Sequence, residues 1–381
     1  MMFTDLPREL EWEILSRVPP TSLNQFRSTC RRWYALLKDP RFIKKNSDKA
    51  ARQMILTTYR SVYSVSIRNQ NSFDPSIEFT GTLNSLKDSE QVLISHIFQC
   101  DGLFLCKTND HGLVVWNPCT GQTRWIQFSN REVESLYALG YENNNKPSCP
   151  SYKILRCSRD LKRRVTEWEI YEFKSGSWRF LDEVAQTWRI SSEGVSLKGN
   201  TYWLAWDRKN TPSSKFLLMF DFKRERFEHL SLPFQCIYNA NLFLSVVREE
   251  KLSLLLERFN TEPFELKIWV IDTKIDEAKD TTYIQYFLVV DFSEIKRTFM
   301  TFVDSFLVDE ENKKALCCGR DKEDMEKIIV YIVGGDQKLH VCKHIRGEIV
   351  QGPTDFLPHV LFSYAPSLVQ IQPVEANEKA D

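Results

Sequence analysis

The side chains best suited to chemistry lie near the C-terminal end, in His340-Val341-Cys342-Lys343-His344, with Cys317-Cys318 preceding them. On a strand, alternate residues share one face, so His340, Cys342 and His344 would point the same way. With Cys317-Cys318 on a neighbouring strand, the set would hold the imidazole and thiolate donors that zinc takes. The spacing matches no recognised zinc motif, however, and strands commonly place such residues in ordinary packing, so no metal is expected. Six histidines in all accompany no serine or cysteine nucleophile in a recognisable signature. Gly140 and Gly334-Gly335 head no strand-turn-helix unit, which removes phosphate loops and dinucleotide folds. The acid pairs Glu249-Glu250 and Glu310-Glu311 read as hairpin turns. Trp116, Trp125, Trp178 and Trp203 could stack on a ligand, but their fixed place within a repeat points to core packing. The expectation is a protein without catalytic residues, metal or cofactor.

Charge narrows the partners. Lys+Arg and Asp+Glu number 51 each, so the formal charge is zero. Nucleic-acid binding draws on phosphate neutralisation and normally shows as a basic excess or stripe; only the short mixed run Arg159–Arg164 comes near one, and it reads as a solvated loop. No window reaches the roughly 18 apolar residues of a membrane span, and Met1–Leu10 has no apolar h-region, so a signal peptide is not expected. Ten scattered cysteines then read as reduced, buried small hydrophobes, which predicts cytoplasm or nucleus. No nucleic acid and no membrane are expected as partners.

Two kinds of element must position whatever function remains. From Leu6 to Leu37 the periodicity is helical. Pro7 suits a first turn, and Leu10, Ile14, Leu15 and Val18 form one apolar stripe. Pro19-Pro20 ends that helix, Thr21 or Ser22 can cap the next, and Leu23, Phe26, Cys30, Trp33 and Leu36 or Leu37 form a second stripe, over one helix or broken into two, that Asp39-Pro40 closes. Three helices in about 40 residues are too few to bury both stripes internally. Either the chain's own second domain covers the rest or another protein does. Trp12 stands out as a bulky aromatic on the expected polar side, either an extra contact or an exposed aromatic.

Beyond about residue 60 the pattern becomes strand-like. An apolar strand, a polar turn and a second strand recur at 115–125, 169–178 and 219–227, with looser copies at 268–272 and 330–335 and a weak one at 65–68. The period of about 50 residues is that of kelch-like propeller blades. The expected fold is a small all-α unit followed by a mainly-β domain, a propeller of about six blades, with a large β-sandwich or irregular barrel as the alternative.

The N-terminal run FTDLPRELEWEILSRVPPTSLNQFRSTCRRWYALLKDPRF resembles the F-box closely, through Leu6-Pro7, the Leu10/Ile14/Leu15 stripe, Val18-Pro19, Leu23, Phe26-Arg27, Cys30 and Arg32-Trp33. The resemblance implies that Leu6, Pro7, Leu10, Ile14, Leu15, Val18, Pro19, Leu23, Phe26, Arg27, Cys30 and Trp33 bind a Skp-type adaptor. That adaptor links to a cullin and the ubiquitin-conjugating machinery. Arg27, Arg31 and Arg32 would lie at the rim, steering an acidic partner or simply solvated. Residues 95–345 resemble the F-box-associated domain, type 1, of plant F-box proteins. Cys100–Cys106, Val115-Trp116-Asn117-Pro118 with Thr120-Gly121, Ser177-Trp178-Arg179, Gly199–Trp203 and Ile268-Trp269-Val270 carry that likeness in order. The implied organisation is an F-box at 1–45, a linker at 46–60, the β domain at 61–370 and a disordered tail at 371–381. The implied role is the substrate-recognition subunit of a Skp-cullin-F-box ubiquitin ligase. The alternatives are an adaptor-bound scaffold or inhibitor outside ligase assembly, and a small-molecule-binding or enzymatic propeller with an incidental F-box. The protein substrate and its binding residues are unknown at this level; the polar loops at 142–151, 158–165 and 206–215 are candidates.

Overall fold

The structure is a computed structural model and describes residues 6–57, 62–68, 76–82, 94–108, 112–127, 134–142, 150–160, 165–181, 188–207, 215–232, 234, 240–258, 265–272, 283–291, 302–320, 327–334, 339–346 and 360–372. Four short α-helices come first: α1 (Arg8–Leu15), α2 (Pro20–Gln25), α3 (Arg31–Leu36) and α4 (Pro40–Lys49), with a 3-10 turn at Phe26–Ser28. Proline sets their starts. Pro7 and Pro19 are the N-caps of α1 and α2, and Pro20 is the first residue of α2, so neither Thr21 nor Ser22 caps it. Asp39-Pro40 does not close the helical unit but opens α4. The Asp39 carboxylate accepts from the Arg41 N–H at 2.9 Å, and Pro40 fills the first turn, where a missing N–H is harmless.

Among the described residues the strands form six four-stranded antiparallel sheets. Blade 2 contains Ile94–Cys100, Leu103–Thr108, Leu113–Trp116 and Thr123–Ile126; blade 3 contains Glu134–Tyr141, Tyr152–Asp160, Val165–Glu172 and Ser177–Phe180. Blade 4 contains Trp188–Leu197, Asn200–Asp207, Lys215–Asp221 and Arg226–Leu230, and blade 5 contains Ala240–Val247, Lys251–Arg258, Glu265–Asp272 and Tyr283–Asp291. Blade 6 is built from Phe302–Asp309, Lys314–Arg320, Lys327–Gly334 and Leu339–Arg346. Blade 1 joins both parts of the chain: Val360–Tyr364 pairs with Gln53–Thr57, followed by Val62–Arg68 and Ser76–Thr82. The first strands of successive blades from 2 to 6 meet around the centre, and Val360–Tyr364, taking that place in blade 1, meets the first strand of blade 6.

This arrangement explains the sequence pattern. Middle strands are covered by blades on both sides, so Leu113–Trp116 is buried at every position and reads as a continuous apolar run. The outer strand Ser177–Phe180 is largely exposed. The recurring sequence unit is the third strand, its turn and the fourth strand of each blade. Trp116 packs edge-on to Phe104 at 5.6 Å, Trp203 lies 6.5 Å from Trp168, and Trp178 lies 5.2 Å from Tyr171. Trp125 departs from the expected core packing: it is 41% exposed on the outer strand of blade 2.

Of the expected linker at 46–60, residues 46–49 belong to α4 and 53–57 to the Gln53–Thr57 strand of blade 1, with residues 50–52 between them, while 58–60 lie outside the described residues. Past Gln372 the expected tail lies outside the described residues. After the closing strand, residues 365–372 run across blade 2 as a strap. Asn117 is fully buried there: its amide donates to the Ser367 and Val369 carbonyls at 3.0 and 2.8 Å, while its carbonyl accepts from the Cys119 N–H at 2.9 Å. Gly102 sits under the strap at φ +76°, where a Cβ would stand 2.6 Å from Ser367 Cβ. Among the described residues no helix is long and apolar enough to cross a membrane.

Candidate partner-docking face

α1 presents two faces. Pro7, Leu10 and Ile14, at i, i+3 and i+7, lie outward, with Leu10 52% and Ile14 44% exposed. Glu11 and Leu15, at i and i+4, lie inward. A helix that shows leucine and isoleucine to solvent while burying a glutamate inverts the ordinary amphipathic arrangement. The inward side is held by polar contacts. Glu11 accepts from the Trp33 indole N–H and pairs with Arg32, whose side chain stays 37% exposed.

α4, which the sequence pattern did not reveal, braces this arrangement. The Asn46 amide donates to the Ser16 and Val18 carbonyls at 3.1 and 2.8 Å, satisfying the end of α1. Lys45 and Lys49 pair with Glu13, and with Arg17 they hold the Glu13 carboxyl down at about 2. Trp12 packs edge-on against Phe42 of α4 at 5.3 Å, so it is a contact within the chain and not an exposed aromatic. The adjacent apolar residues Phe42 and Ile43, both buried, were the available sequence signal for α4.

The twelve residues expected to bind an adaptor therefore separate. Leu15 and Leu23 are buried, and with Leu37, Phe42 and Ile43 they belong to one core cluster that continues into blades 2 to 4. They are removed from the exposed set because the chain's own second domain and α4 cover them. Pro7, Leu10, Ile14 and Pro19 are exposed, and Leu6, Val18, Phe26, Arg27, Cys30 and Trp33 are partly so. Cys30 acts locally, since its sulfur accepts from the Trp33 N–H at 3.4 Å and caps α3, while Phe26 packs edge-on to Trp33 at 5.7 Å. Burial lowers the Arg27 pKa against the opposing pull of Cys119 and Tyr34, which places Arg27 beside the turn of blade 2. The helical unit thus rests on the propeller end that carries the turns at Asp101 and Cys119.

The residues of the candidate zinc set lie on two strands of blade 6 with a third strand between them, and the side chains of 339–346 lie outside the described residues. Cys317 and Cys318 pair with Tyr331 and Val330, and the strand of His340 to His344 lies on the far side of that strand. A register shift at Val330/Tyr331 skips Cys342, so His340 stands opposite Ile332 and His344 opposite Ile329, positions of opposite parity. Among the described residues no group of three or more His, Cys, Asp or Glu could hold a metal ion. Of the candidate loops, residues 143–149, 161–164 and 208–214 lie outside the described residues, as does the end of the Arg159–Arg164 run. Trp206 and Asp207 end the second strand of blade 4.

Residues 3–45 match the F-box domain family, and residues 52–371 match the family of F-box associated beta propeller domains. Among curated proteins, a putative F-box/kelch-repeat protein of Arabidopsis thaliana is 51% identical over 97% of both chains. A second putative F-box/kelch-repeat protein of that plant is 47% identical, over 98% of this chain and 94% of its own. An F-box/kelch-repeat protein of the same species is 46% identical, over 98% and 96%. With most of its length inside one family match and these relatives aligned from end to end, the chain belongs to the F-box proteins that carry an F-box associated β-propeller domain.

Proposed function

We propose that the protein is the substrate-recognition subunit of a Skp-cullin-F-box ubiquitin ligase. The F-box docks on the Skp-type adaptor, and the propeller holds a protein substrate. The observation that carries this reading is the outward stripe of Pro7, Leu10 and Ile14 on a helix whose other face is already packed. Apolar anchors at i, i+3 and i+7 are what a helix offers to an apolar groove on a partner. Partly exposed Leu6, Val18 and Phe26 extend the apolar material available to the same partner, and buried Leu15 and Leu23 support it from beneath.

In this role the chain performs no bond-making step. It raises the local concentration of a substrate lysine near a ubiquitin-charged enzyme, turning a bimolecular encounter into an effectively intramolecular one. The α4 brace and the shared core fix the F-box against the propeller, so a bound substrate would be held at a defined distance from the adaptor.

The test is co-purification with a Skp-type adaptor. Leu10→Asp and Ile14→Asp each replace an exposed anchor, so the propeller should keep its melting temperature while adaptor capture falls by roughly tenfold or more, as expected for central interface anchors. Normal adaptor binding by both variants would sink the reading.

A further inference from the structure

The first strands of five blades leave a cavity of about 290 Å³ on the propeller axis, near the lower end of the roughly 300–1,000 Å³ seen for ligand pockets. Ile97, Leu244, Leu307 and Leu361 supply apolar wall from blades 2, 5, 6 and 1. The charged groups are one-sided. Among the described lining residues stand two carboxylates, Glu249 and Asp304, and no lysine or arginine. Burial, with Lys107 nearby, lowers the His96 imidazole to about 4, so this third ionisable group on the wall is uncharged at neutral pH.

We propose that this axial cavity binds a small amphipathic amine, its hydrocarbon body between the leucine and isoleucine walls and its ammonium group against the Glu249 carboxylate. Glu249 lies in the turn after the first strand of blade 5, at the propeller end that meets the F-box: Arg52, in the short connection after α4, donates to the neighbouring Arg248 carbonyl. Asp304, near the start of the first strand of blade 6, adds negative potential towards the other end. An ammonium ion there meets the one-sided negative charge of the wall, while the apolar residues remove the hydrocarbon body from water.

The state of Glu249 supports the same ligand. Burial first, and then the Asp101 carboxylate, raise it to about 7, with Asp48 acting in the same direction and Arg52 and the Gln99 amide opposing them. Asp101 is itself raised by burial and accepts from the Tyr152 hydroxyl at 3.0 Å. A positive ligand relieves this repulsion. Its binding therefore strengthens as pH rises through 7, where Glu249 becomes charged.

The proposal is independent of adaptor docking, since neither Leu10 nor Ile14 lines the cavity. It is tested on the full chain by titration calorimetry and thermal shift at about pH 8, with 2-phenylethylamine against its neutral isostere 2-phenylethanol. The amine is expected to bind roughly tenfold tighter than the alcohol, the scale of a charge-assisted hydrogen bond. Glu249→Gln should remove that preference, and Leu244→Trp should fill the cavity and abolish both. If Leu244→Trp does not fold, the near-isosteric Glu249→Gln decides alone. The proposal is overturned if the amine gives neither heat nor a thermal shift at millimolar concentration, if amine and alcohol bind equally, or if the preference survives in Glu249→Gln.

Discussion

Glu257, on the second strand of blade 5, is 2% exposed and accepts from the Asn241 amide at 3.1 Å. Burial raises its carboxyl to about 7, the Asn241 bond resists, and Asp304 adds to the rise. A carboxyl whose folded value exceeds its unfolded one favours the protonated native state. Its contribution is fully present below about pH 4.5 and is lost as pH rises through 7. Glu257→Gln should therefore be about 2–3 kcal/mol more stable than the parent at pH 8 and no more stable at pH 4. Urea unfolding at the two pH values measures this, and an equal effect at both would contradict the burial argument. Lys153 shows the opposite solution to the same problem. Its buried ammonium is drawn to Glu142 at 2.6 Å and Glu225 at 2.7 Å, the second bond joining blade 3 to blade 4. Both residues look like ordinary strand charges in the sequence, because burial depends on the blade next door.

Among the elements, the strap of residues 365–372 is the least expected. The Asn117-Pro118-Cys119-Thr120-Gly121 turn lies within the match to the F-box associated propeller family, and its work here is structural. One buried side chain closes its own turn and grips the strap. Asn117→Ala leaves two strap carbonyls and two turn N–H groups without that partner, for a loss of about 3 kcal/mol. It should also expose the chain beyond Tyr364 to limited proteolysis. Unchanged urea stability and an uncut C-terminus would refute this role. α4 makes a similar point at the other end of the chain. Asp39-Pro40 has the same composition whether it stops one helix or starts another, and only the following Phe42 and Ile43, buried against the chain, decide that it starts one.

Across the whole molecule, blade 1 closes the ring by pairing Val360–Tyr364 with Gln53–Thr57 along five registered residues. Leu361 and Tyr364 from that strand are buried, and the Leu361 N–H donates to the Ser305 hydroxyl of blade 6 at 2.8 Å. The strand therefore joins blade 1 to blade 6 as well as completing its own sheet. A chain ending at residue 359 leaves an open edge on blade 1 and uncovers blade 6. It should lose the single cooperative melt of the full chain in scanning calorimetry. A truncated chain with the parent's transition would show that closure is dispensable.

Much of this was legible from local order along the chain. The helical stripes, the change to strands, the repeat of about 50 residues and the family likeness all depend on neighbours a few positions apart. They led to an F-box followed by a propeller, and to Pro7, Leu10 and Ile14 as docking candidates. Local order does not say which half of an apolar stripe the rest of the chain will cover. Leu15 and Leu23 share their stripes with Ile14 and Phe26, yet they are buried because α4 and the propeller lie over them. Ring closure, the strap, the skipped Cys342 and the acidic axial cavity likewise arise from groups far apart in sequence. They exist only once six sheets surround one axis.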